Sequence, residues 1–319
     1  LLRILLLQPL LLGVSTLCGV VTQMNHRFVL YAVSPLLYNV GIIFGVAALY
    51  PLLGLTGLGV GVVLGAMGHL LVQVPFVWRS EFRFSLLRSV NWQEIGEILR
   101  VSIPRSLTLS VNQLVLLVLI SFATVMTAGS VSVFQFAFNL QSVPLAIIGM
   151  SYSVAAFPTL SHLFARQDQQ GFNRQLLTAL RHIIFWSIPA IGLIVVLRAQ
   201  IVRVLLGSGA FDWGDTRLTA AMLAIFVLAL TAQAALLLLI RAFYAGGRTR
   251  LPLVLATTSA VFTIALAVAF RAWYVSSPAF QELLQTVFRL TSVPGAEVLV
   301  LALAFMCGQL LQLALDRKS

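Results

Sequence analysis

The chain has 319 residues, of which 60% are hydrophobic and 9% charged, with a mean hydropathy of +1.01. No water-soluble domain carries that balance without exposing most of its apolar surface, so the solvent for most of the chain is lipid. The net charge of +11 would raise nucleic acid as a partner in a soluble protein, but here it fits the Lys and Arg that membrane proteins keep in cytoplasmic loops, and no nucleic-acid partner is expected.

Apolar stretches of about 20 residues recur, each able to cross a hydrocarbon core of roughly 30 Å as a helix. The short alternating segments of a β-barrel are not seen. Hydropathy predicts nine spanning helices: Ile4–Thr22, Val29–Leu49, Thr56–Val77, Ile103–Met126, Val131–Phe157, Leu176–Leu197, Thr216–Tyr244, Leu251–Phe270 and Ala296–Leu315. The expected fold is an all-α, multi-pass transmembrane bundle. Leu1 opens inside an apolar run, with neither Met nor a basic n-region, so the chain reads as N-terminally truncated. Cys18 and Cys307 lie in apolar runs without the spacing of a metal site or disulfide framework, and read as small core residues.

Pro35 and Asn39 sit mid-span in the second helix and Pro144 in the fifth, where each proline removes a backbone hydrogen bond and favours a kink. The third span carries Gly57, Gly61, Gly65 and Gly68, a small-xxx-small face expected to pack closely on a neighbour. His69 follows and reads as a hydrogen-bonded interior side chain. The stretch Arg79–Arg100 is too polar to span but has apolar residues at helical spacing, so it is expected to lie on the cytoplasmic surface as an amphipathic helix.

The fifth span holds Ser132, Gln135, Asn139, Ser142, Ala146, Gly149 and Ser153 at steps of three and four, a single predicted stripe. The fourth has Ser106, Ser110, Gln113, Ser121 and Thr124 on a similar face, with Asn112 beside it. Two accounts stand: close helix packing through small and hydroxyl residues, or two walls of a wet cavity. The bulky amides favour the second, because they are costly in hydrocarbon without partners or water. Gln113, Asn112, Gln135, Asn139, Ser142 and, on the second span, Asn39 are the candidate cavity or substrate-binding residues.

All nine acidic residues fall in predicted loops or at helix ends. No intramembrane carboxylate is available to hold a coupling ion. No paired carboxylate, HExxH or nucleophile with a nearby base is present, so no enzyme, cofactor or metal is expected.

Fourteen of the 20 Lys and Arg lie in the tail and around the loops after the first, third, fifth and seventh spans. Basic flanks are retained in the cytoplasm, so residues 23–28, 79–102, 158–175, 245–250 and the C-terminus are expected there. Arg27, Arg241, Arg248 and Arg250 mark two of these basic turns. The turns MNHRFVLYAVSPLLYN and GGRTRLPLVLATTSAVF correspond at an offset of 223 residues, which superposes Arg27 on Arg250. Such repeats build transporter bundles. On that offset, residues 1–78 are the second half of an N-terminal lobe, 79–100 a linker helix and 101–319 a six-span C-terminal lobe, with three helices expected before Leu1.

Three segments, Gly129–Ala165, Gly207–Phe226 and Arg241–Leu255, resemble the peptidoglycan lipid II flippase family MurJ, also called MviN, of the MOP exporter superfamily; the likeness covers most of Leu1–Phe270. The resemblance implies a two-lobe fold and a bacterial cytoplasmic (inner) membrane location. It implies a polyprenyl-pyrophosphate substrate carrying the cell-wall precursor, flipped from inner to outer leaflet by alternating access, with membrane lipids and cell-wall synthesis proteins as candidate partners. Phe138 and Asn139 stand where relatives place an Asp-Arg pair, and the segment Val275–Gly295 departs from the family. The alternatives are export of another polyprenyl-linked oligosaccharide, drug/cation antiport, and a non-transporting scaffold of cell-wall synthesis.

Overall fold

The computed structural model describes residues 1–25, 27–80, 92–209, 211–290 and 293–316. Among the described residues the chain is helical between its turns, with no strand. It divides into two compact units, Leu1–Val90 and Asn91–Ser319.

The first unit contains α1 (Leu2–Thr22), α2 (Val29–Leu53) and α3 (Leu55–Arg79). The second contains α4 (Trp92–Thr124), α5 (Ser130–Ala165), α6 (Gln169–Leu206), α7 (Trp213–Leu228 and Leu230–Ala245, bent by 45°), α8 (Arg250–Ser276), a short α9 (Pro278–Val287) and α10 (Ala296–Asp316). Eight of these helices are long and apolar enough to cross a membrane, and the bent pair makes a ninth, so each predicted span has its counterpart. Several helices outrun their apolar stretch, because nothing in the backbone stops a helix where hydrocarbon ends. α6 begins at a cap, with Asp168 Oδ1 accepting from the Gly171 N–H at 2.8 Å. α4 begins at Trp92, so residues 92–100 of the segment expected as a surface helix form its first turns; residues 81–91 of that segment lie outside the described residues.

In the first unit the expected glycine face of α3 has a glycine partner. Gly41 and Gly45 of α2 meet Gly61 and Gly65 of α3 so closely that a Cβ on Gly45 would lie 2.7 Å from the Gly61 Cα, and one on Gly65 would run into the Tyr38 carbonyl oxygen. Glycine is what allows backbone to touch backbone here. The turn between the two helices needs it too, since Gly54 has φ of +58°. α1 is attached through side chains: Ser15 Oγ lies 2.7 Å from His69 Nδ1, Gln73 Nε2 donates to Ser15 Oγ at 3.1 Å, and Gln8 Nε2 donates to the Tyr38 hydroxyl at 2.8 Å.

The second unit is built around α7. Its first arm is started by a capping box, in which Asp215 N–H donates to Asp212 Oδ1 and Asp212 N–H to Asp215 Oδ2. From Leu218 to Val227 this arm is buried on every side, as a helix enclosed by other helices must be. Phe226 is the hub of an aromatic cluster, with ring centroids 5.4 Å from Phe134, 5.7 Å from Phe138 and 5.5 Å from Phe305. Hydrogen bonds cross between the surrounding helices: Ser153 Oγ donates to the Leu237 carbonyl at 2.8 Å, Ser187 and Thr231 hydroxyls meet at 2.7 Å, and Ser259 Oγ donates to the Gly308 carbonyl at 2.9 Å. The segment in which the sequence departs from the family holds α9, capped by Ser277 and fixed by Phe280 stacking on Trp273 at 4.1 Å.

Gly61→Val should lower the thermal midpoint of the detergent-solubilised chain by the equivalent of about 1–3 kcal/mol, because the contacted atoms are backbone and cannot move aside. Gly13→Ala, at a helical position with open space around it, should leave the midpoint unchanged or raise it.

Candidate functional site

A cavity of about 170 Å³ lies inside the second unit. Its polar wall comes from four helices: Asn112 on α4, Gln233 on α7, Ser259 and Thr263 on α8, and Gln309 and Gln312 on α10. Phe138 and Phe305 of the aromatic cluster complete one side. None of the lining residues is ionisable.

Local sequence explains the arrangement. Gly308 brings α10 against α8, where a Cβ would collide with the Thr263 hydroxyl. Thr263 Oγ1 bonds back to the Ser259 carbonyl at 2.8 Å, and Ser259 in turn reaches the Gly308 carbonyl. Gln233 is held by Gln141 in a reciprocal amide pair, each Nε2 donating to the other Oε1 at 3.3 Å. This pair fastens α5 just before its π-helical stretch Leu145–Met150 to α7 just after its bend. Carbonyls, amides and hydroxyls in this number can both donate to and accept from a neutral polar ligand, but cannot balance a negative charge.

Of the predicted residues, Asn112 lines this cavity. Gln113, its neighbour on α4, is exposed, as are Gln135, Asn139 and Ser142 on α5. Asn39 is exposed on α2 of the first unit. The predicted stripe on α5 is not one face. Ser132, Gln135, Asn139, Ser142 and Ala146 are exposed, whereas Gly149 and Ser153 are buried, Gly149 against Ala234. The π-helical stretch that follows Pro144 inserts extra backbone per turn and swings the later residues into the interior. Three of these hydroxyls serve their own helices, Ser110 donating to the Ser106 carbonyl, Ser121 to Leu117 and Ser142 to Asn139, at 3.0, 2.8 and 2.6 Å, whereas Ser153 reaches α7. Gln141, Gln233, Gln309 and Gln312 were absent from the predicted set, although the criterion that selected Gln113, an amide inside an apolar span, applies equally to them.

Phe138 is seated in the aromatic cluster with rings 5.7 Å from Phe226 and 5.8 Å from Phe305. Among the basic residues, Arg27 places its guanidinium 5.7 Å from the Phe76 ring centroid in the first unit. Arg248 and Arg250 are exposed at the turn between α7 and α8, and Arg241 is half-buried.

Gln233→Leu should destabilise the fold by about 1–3 kcal/mol, because it leaves the buried Gln141 amide without a partner. The double substitution Gln141→Leu with Gln233→Leu should recover most of that loss. Thermal melts of the single and double variants form the cycle that checks it.

The family model for lipid II flippase MurJ matches residues 1–282. A probable lipid II flippase MurJ of Buchnera aphidicola is 27% identical over 270 residues, covering 83% of this chain and 52% of that protein. One of Thermotoga maritima is 28% identical over 229 residues, covering 72% and 45%. The chain thus spans about half the length of the curated relatives it matches. A solved lipid II flippase MurJ in an inward closed conformation superposes with a TM-score of 0.71 at 20% identity, over 98% of this chain and 61% of that one. A MATE structure in complex with MaL6 gives 0.74 at 16% identity, over 99% and 68%. These structural matches share the fold of this chain. By the match over most of its length, the chain belongs to the lipid II flippase MurJ family of multi-pass membrane transporters.

Proposed function

We propose that this chain forms part of a carrier that turns a polyprenyl-diphosphate-linked cell-wall precursor from the inner to the outer leaflet of the bacterial cytoplasmic membrane. One observation carries the reading: Gln113, Gln135 and Asn139 stand exposed on consecutive spans, with none of the described helices covering them. An amide facing hydrocarbon is unfavourable without a partner, so this face meets water, or the sugars and peptide of a headgroup, in the working protein. Packing among the described helices does not account for it.

The neutral cavity beside it suits the same kind of ligand. Its amides match sugar hydroxyls and peptide groups, while the prenyl tail has no place among them and stays in lipid. Residues 1–78 act as the second half of one lobe, 79–100 as a linker and 101–319 as the other lobe. The basic turns carrying Arg27, Arg241, Arg248 and Arg250, the other odd-numbered loops and the C-terminus face the cytoplasm. The chemistry is transport without bond making, and no cofactor takes part. Phe138, packed where relatives carry an acid, favours a second reading within the same class, in which the oligosaccharide on the polyprenyl carrier differs from that of lipid II.

Gln135→Leu combined with Asn139→Leu should cut leaflet translocation of labelled lipid II by about tenfold or more, the effect of losing one or two polar contacts, while leaving the melting midpoint intact. The assay uses the reconstituted protein, alongside rescue of a flippase-depleted strain by its gene. Unchanged translocation in the double variant defeats the carrier reading of this face; translocation of another polyprenyl-linked oligosaccharide in preference to lipid II selects the second reading.

A further inference from the structure

A diphosphate needs positive charge, and the cavity wall supplies none. Two arginines of the second unit stand apart from the other basic residues. Arg105, in the first half of α4, lays its guanidinium over the Tyr244 ring at 5.3 Å from the centroid. Arg241 lies three residues before Tyr244 on α7, hence on the same helical face, and directs Nη2 to the Met150 thioether at 3.1 Å. Both arginines thus serve the same stretch of α7, Arg241 from within it and Arg105 reaching across to Tyr244. Among the described residues, neither is paired with a carboxylate.

Each contact occupies little of what these side chains offer. A thioether is a weak acceptor, so Arg241 keeps nearly all of its hydrogen-bonding capacity for a better one. Tyr244 buries its hydroxyl, which has no partner among the described residues, and so presents its ring face to Arg105. Contact through the π face leaves the in-plane N–H donors of Arg105 uncommitted. Like charges held together without an acid repel, and the repulsion is relieved when an anion enters between them. Two planar forks on neighbouring helices match the several oxygens of a phosphoryl group, which a point charge such as lysine does not. Val101, one turn before Arg105 on α4, is exposed on the same face, an apolar margin that suits a chain attached to the phosphate.

We infer that Arg105 and Arg241, with Tyr244 as the platform under Arg105, form a binding site for the phosphate or diphosphate group of a lipid. The diphosphate form of this inference rests on the carrier reading given above; the site itself does not. In the carrier, the pair holds the charged joint between prenyl tail and headgroup while neutral amides contact the sugars.

The test is titration of the full chain in detergent micelles, followed by intrinsic tryptophan fluorescence, with three probes: farnesyl diphosphate, phosphatidylglycerol and inorganic pyrophosphate. Arg105→Gln and Arg241→Gln should each weaken farnesyl diphosphate binding by about tenfold, the scale of one charge-assisted contact. Arg105→Lys with Arg241→Lys, which keeps the charge and loses the forks, should also weaken it; this pair serves if the glutamine variants fail to fold. Tyr244→Leu, which removes the platform, should bind less well. Arg248→Gln, an exposed arginine outside the pair, should change affinity by less than about twofold. Unaltered affinity in folded variants of both arginines overturns the inference, as does an equal loss in Arg248→Gln, which reduces the effect to net charge. Competition by phosphatidylglycerol as strong as the diphosphate supports a lipid phosphate site while cutting its link to the transported substrate. Inorganic pyrophosphate binding as tightly as farnesyl diphosphate overturns the lipid part. A chain that binds phosphatidylglycerol through the pair yet translocates nothing sinks the carrier reading and leaves this site standing.

Discussion

Hydrocarbon offers no hydrogen bonds, and that single fact organises both units. Every backbone amide must be satisfied inside its own helix, and every side-chain polar group needs a partner, a wet surface or its own helix's carbonyls. The helices cannot be driven together by burying apolar surface, since lipid is as apolar as leucine. What joins them is therefore close backbone contact and a few placed polar pairs. The seam of Gly41, Gly45, Gly61 and Gly65 is the first kind. The Ser15–His69–Gln73 cluster, the Gln141–Gln233 pair and the Ser259–Gly308 bond are the second.

The same constraint separates polar groups with a structural task from those available for a ligand. Hydroxyls on α4 and α5 that bond back to their own carbonyls cost little in lipid and carry no message. The carboxylates of Asp212 and Asp215 are spent on starting α7. Exposed amides and unpaired guanidinium groups have no such internal solution. They mark the places where this molecule expects something other than a fatty chain. A headgroup with neutral sugars and a charged joint asks for both kinds, and the second unit offers amides in one region and arginines in another.

Much of the architecture was legible in the sequence because its determinants are local. A run of about 20 apolar residues makes a spanning helix whatever surrounds it, and Gly57, Gly61, Gly65 and Gly68 announced a close contact before the partner glycines on α2 were known. The candidate site was read less completely. Asn112 was placed at the cavity, but the stripe on α5 was drawn with uniform helical periodicity, and the π-helical stretch at Leu145–Met150 breaks that periodicity. Nothing in hydropathy reports such a stretch; Pro144 only hints at it. The cavity wall also gathers Gln233, Ser259, Thr263, Gln309 and Gln312 from three later helices, and convergence of that sort is a tertiary property. Phe138 looked like a lost charge in sequence and is a packed aromatic in the fold.

The glycine seam in the first unit also limits how that unit can deform. Where main chain rests on main chain at Gly41, Gly45, Gly61 and Gly65, no side chain can change rotamer to let one helix slide past the other. The pair has a single register and travels as one plank. α1, fastened instead by serine, glutamine, histidine and tyrosine side chains, is the span with freedom to tilt, because such bonds lengthen and re-form over a range of angles.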